Sequence, residues 1–65
     1  MSHAVSSTPQ RVVVAVQADT ADEAVIRAKD WAHHEPLRIT TLCSVKRGGV
    51  NDGQWHVERA VRWLR

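Results

Sequence analysis

The stretch VVVAVQADTADEAVIRAKDWA, residues 12–32, decides the fold. It passes from a β-branched run through a capping signal into an amphipathic helix. Val12, Val13, Val14 and Val16, with Ala15 among them, predict a strand over residues 11–17 whose two faces are both apolar. Such strands are normally buried on both sides, so the face turned away from the helix is expected to be covered too. Thr20-Ala21-Asp22-Glu23 matches a capping box, in which the Thr hydroxyl and the Glu carboxylate satisfy free amides at the helix start. Asp19, Asp22 and Glu23 also put negative charge near the positive end of the helix dipole. Ala21, Ala24, Val25, Ala28, Trp31 and Ala32 then fall on one helical stripe, while Ile26 lies off it beside Lys29, Asp30 and His33. Pro36 ends the helix near His34.

Working outward, residues 37–46 alternate. Leu37, Ile39, Thr41, Cys43 and Val45 share one face, and Arg38, Thr40, Leu42, Ser44 and Lys46 the other. Arg47-Gly48-Gly49 and Asn51-Asp52-Gly53 supply turn chemistry for a hairpin loop of about seven residues. Residues 54–64 read two ways. As a strand they align Trp55, Val57, Val61 and Trp63, interrupted by Arg59; as a helix they align Val57, Ala60, Val61 and Leu64. Two Trp, two Val and the preceding Asn-Asp-Gly favour the strand, whereas Glu, Ala, Arg and Leu favour the helix. The expected fold is therefore α+β: a β-α-β-β chain forming a three-stranded antiparallel sheet of order 1-3-2, with one helix on one face. Residues 1–10 are small and polar and are expected to be a disordered tail, leaving residues 11–65 as a single domain.

At 65 residues the chain is near the lower limit for folding alone. Small domains add disulfides, a metal or a second subunit. Cys43 is the only cysteine, so no disulfide can form within the chain, and self-association becomes the expected route. The lone cysteine and the absence of an apolar leader or a membrane-length apolar run lead us to expect a reducing, cytoplasmic setting with no membrane contact. Seven Arg against two Lys, with abundant Ala and Val, suggest a high-GC genome of the actinobacterial or phage kind. The net charge of +2 includes no polybasic block of the kind that signals nucleic acid.

Candidate chemistry is sparse. His33 and His34 are adjacent and would diverge by about 100° on a helix, so they cannot share one ion. Cys43 is expected in the core and His56 on the opposite face, and no pair has zinc-finger or zincin spacing. A mid-strand apolar position is also the wrong place for a nucleophilic thiolate. Arg47-Gly48-Gly49 lacks the Lys-Ser/Thr of a phosphate loop. No catalytic, metal or cofactor residue is expected. The outer sheet face is the candidate site, with Val13, Ala15, Leu42 and Ala60 as an apolar centre and Arg38 and Arg62 at a basic rim. Ile26 is a second exposed apolar point for a partner. The expected function is a non-enzymatic interaction module that forms a homo-oligomer and binds a heterologous protein. The alternative is nucleic-acid binding on the basic rim or on a basic C-terminal helix, although sheet platforms for single strands need exposed aromatics.

The element order, with Trp55-His56-Val57-Glu58 through Val61-Arg62-Trp63-Leu64 as a closing strand, resembles dodecins. These are small β-α-β-β proteins that assemble as hollow dodecamers and bind flavins. The resemblance covers residues 11–64 as a pattern of apolar positions. It implies the fold and self-assembly, and would make the chain a small-ligand storage oligomer. The Trp that dodecins stack on flavin is absent, Leu37-Arg38 standing at that place, and His56 stands near the family's flavin-contacting Gln. No site residue carries over.

Overall fold

The computed structural model describes residues 2–48 and 53–64. The elements are β1 (His3–Ser7), β2 (Arg11–Gln17), α1 (Ala21–His33), β3 (Leu37–Arg47) and β4 (Gln54–Trp63). They form one antiparallel sheet of order β1-β2-β4-β3 with α1 on one face. The expectation of three strands in order 1-3-2 is therefore corrected to four strands. Residues 54–63 are a strand, and β4 lies between β2 and β3.

The additional strand comes from the N-terminal segment that composition reads as a tail. β1 is exposed throughout, so it adds almost nothing to the core. Its stability comes from the open edge of β2 and from a tight turn at Thr8. The Thr8 amide donates to the Arg11 carbonyl (2.8 Å), and the Arg11 amide donates to Thr8 Oγ1 (3.0 Å). Pro9 fixes the chain direction inside this turn. The Trp63 indole donates to the Thr8 carbonyl (3.2 Å) and ties the turn to β4.

Helix α1 starts with half of the expected capping box: Thr20 is extended and its hydroxyl accepts from the Glu23 amide, while the Glu23 carboxylate pairs with Arg27 (3.2 Å) and not with the Thr20 amide. The helix buries Ala24, Ala28 and Ala32, one stripe of small side chains that lets it approach the sheet closely. Against it lie Val12, Val14, Val16, Val57, Val61 and Leu37, with Trp31, Ile39, Val45 and Trp55 packed around them. The Trp55 indole donates to the Ala18 carbonyl (3.0 Å) and closes the end of the core where β4 begins. Gly53 has φ +81 in the turn that leads into β4, a conformation L side chains rarely adopt. Residues 49–52, including the expected Asn51-Asp52 turn, lie outside the described residues, as does Arg65.

The two ladders of β4 differ. Against β2 the register is unbroken from Arg11↔Ala60 to Gln17↔Gln54. Against β3 it shifts twice, between Ile39 and Leu42 and again between Leu42 and Ser44. These bulges correct two expectations drawn from simple alternation. Leu42 pairs with Arg59, whose neighbours at alternate positions, Val57 and Val61, belong to the helix side. Cys43 is exposed and is not a core residue.

Candidate interaction face

The register places side chains on the outer sheet face in rows across the four strands. His3, Ala15, His56 and Lys46 form one row; Ser6, Val13, Glu58 and Ser44 form the next. Arg11 opposite Ala60, and Arg38 opposite Arg62, complete the face toward the end where β3 begins. Ala15 is only 2% exposed although no second layer covers it, because larger side chains stand on either side of it in the row. Val13 and Ala60 are half-buried.

Of the residues expected at this face, Val13, Ala15 and Ala60 lie together at its centre, and Arg38 and Arg62 stand opposite one another at its end. Leu42 leaves the group by the register shift, although it is 41% exposed. Ile26 is 65% exposed on α1, in the layer on the other side of the sheet, and is not brought to this site. Sequence reasoning missed His3 and Ser6, which join the face only because β1 exists. It also missed the contact of His56 with Gly48: a Cβ built on Gly48 would stand 2.6 Å from the His56 ring.

Electrostatically the face is cationic. Arg11, Arg38, Lys46 and Arg62 oppose Glu58, which accepts from Arg11 (3.2 Å) and from the Ser44 hydroxyl (3.4 Å). Arg38 and Arg62 are directly opposite like charges, an arrangement that destabilises a ladder unless solvent or a partner screens it. Neither has an ion-pair partner among the described residues. Among the described residues no Trp belongs to this face, whose rings are the imidazoles of His3 and His56: Trp55 and Trp63 alternate with Val57 and Val61 toward the helix, and Arg47 lies over the Trp55 ring at 5.3 Å.

Both edges of the sheet are obstructed. β1 has five residues and a bulge at Val5, and β3 carries two bulges together with Arg38, Lys46 and Arg47. Short, bulged and charged edges resist strand addition. The chemistry of the rest is thin. A groove of about 460 Å³ between the end of α1 and the start of β3 brings Lys29, His33 and Glu35 over Leu37, Ile39 and Leu64, but these polar groups share no hydrogen bond. Cys43 Sγ lies 3.9 Å from the Thr41 carbonyl, and no histidine or carboxylate hydrogen-bonds it among the described residues. Among those residues no group of three or more His, Cys, Asp or Glu could hold a metal, and no helix is long and apolar enough to cross a membrane.

No protein-family model matches the chain, and no curated protein or solved structure is significantly similar to it.

Proposed function

We propose that the protein is a non-enzymatic interaction module that self-associates through the outer face of its sheet. The observation that carries this reading is the uncovered face itself. One helix serves four strands, and the centre opposite the helix presents half-buried Val13 and Ala60, with Ala15 buried between His3 and His56. A second copy of the chain is the favoured occupant. A 65-residue domain has little core of its own, small central side chains let two sheets approach to about 10 Å, and the obstructed edges favour the face over strand addition. The additional strand β1 lies outside the dodecin-like pattern, so that resemblance supports assembly without indicating its size. A reducing, cytoplasmic setting goes with this reading on the strength of the single cysteine.

The rim decides how to test it. Two copies meeting face to face bring Arg11, Arg38, Lys46 and Arg62 toward their own kind, so added salt should strengthen association by screening. Light scattering on a sizing column should give a mass of a dimer or more, rising from low to high salt. Ala60→Glu should lower that mass while leaving the circular dichroism spectrum intact, because Arg11 and Arg62 flank the new carboxylate. A 7.3 kDa particle at every salt concentration would overturn self-association. The second reading, nucleic acid on the same cations, has the opposite salt dependence, since phosphate contacts weaken as salt rises.

A further inference from the structure

Arg59 is the one buried charged side chain among the described residues, at 9% exposure, and its Nε is buried with no hydrogen-bond partner. It stands between Val57 and Val61 on β4, with Val12 opposite it on β2, in a row that alternation would fill with an apolar residue. The buried Nε has lost its water without gaining an acceptor, and an anion placed against the guanidinium would return that lost interaction. The ion pairs among the described residues are Arg11–Glu58 and Arg27–Glu23, and neither involves it.

A second, independent observation coincides with the first. The positions from 39 to 44 on β3, six residues, stand against the four from 58 to 61 on β4, and the two register shifts bracket Leu42, the cross-strand partner of Arg59. Bulges re-aim side chains and gather beside functional sites. Here they leave Leu42 41% exposed next to the buried charge. The irregular part of the β3–β4 ladder is thus centred on the one buried charge among the described residues.

We propose that Arg59 anchors an oxyanion site: its guanidinium receives a carboxylate or phosphate group from outside the chain through two parallel N–H···O bonds. The fork of an arginine matches both groups in this way, and a lysine does not. The site is on the helix side of the sheet, so it does not rest on self-association through the outer face.

Thermal unfolding of the full chain in chloride, acetate and phosphate at equal ionic strength tests it, with Arg59→Met and Arg59→Lys alongside the native protein. The native Tm should rise in phosphate or acetate relative to chloride. Arg59→Met should have a higher Tm than the native chain in chloride and lose the anion-specific rise; Arg59→Lys should keep the charge but lose most of that rise. A rise in phosphate alone identifies a phosphate group as the occupant, a rise in acetate alone a carboxylate, and a rise in both a site that takes either oxyanion. General salting-out raises all three proteins alike, and Arg38 and Arg62 are present in all three, so neither produces the difference. Equal anion responses in the native chain and Arg59→Met, or none in the native chain, would overturn the proposal.

Discussion

The two ladders of β4 are made by one strand, yet they obey different rules. On the β2 side seven consecutive pairs keep one register; on the β3 side the register slips by two residues within half the strand. β2 presents Val12, Val14 and Val16 to the helix, each about 1% exposed, and a slip of one residue would turn all three away from it. β3 has Leu37 and Ile39 at one end and Val45 near the other, with Thr40, Thr41, Leu42 and Cys43 between them, and most of it is exposed. Nothing in that middle holds the register, so the strand absorbs two extra residues there. Register is enforced where burial enforces it, and relaxes where an edge strand is solvated.

Substitutions on the two sides test this contrast. The largest effect belongs on the regular side. Val57 is fully buried and touches the centre of the core, so Val57→Ala should cost about 2 kcal/mol in chemical denaturation. A cost below 0.5, a surface-like value, would mean that β4 does not stand at the centre of the core. Within the bulge, Thr40 Oγ1 donates to the Ala60 carbonyl (3.1 Å) in an exposed setting. Thr40→Val should therefore cost about 0.5–1 kcal/mol, the net worth of one such bond. A loss as large as that of Val57→Ala would make the bulge a rigid, stability-bearing element. The smallest effect is expected at Cys43, the exposed residue of the second shift. Cys43→Ser should move the midpoint by no more than about 0.5 kcal/mol in either direction. A strong destabilisation there would restore Cys43 to the core where simple alternation puts it.

The same contrast explains what could be read from the chain. The β2–α1 unit was legible because its signals agree: β-branched residues, a Thr20 cap and an alanine stripe all specify one local structure. The apolar character of both faces of β2 pointed to a covered outer face, but the expected order put this strand at an edge, whereas β2 lies between β1 and β4. β1 was not legible because His-Ala-Val-Ser-Ser carries neither alternation nor apolar bulk; its order is imposed by the edge it joins. The bulges of β3 were hidden for a related reason. Alternation is a local signal, and it counts residues as though the partner strand had as many. The one visible warning was Arg59, a charge in an otherwise apolar row, and it marks the place where the count fails. Of the outer face, Val13, Ala15 and Ala60 followed from the unbroken β2–β4 ladder, and Arg38 and Arg62 from the end of β3 before its first shift, whereas Leu42 followed from a register that does not exist.

The imidazole of His56 occupies the space where any side chain at position 48 would begin. Residues 48 and 56 are therefore one steric decision written at two positions. A lineage that gains a side chain at 48 must move or replace the ring at 56, and a lineage that keeps the ring where it stands is held to glycine. Along such a history the two sites would change together or not at all, leaving a paired signature that a position-by-position comparison of sequences reads as two unrelated differences.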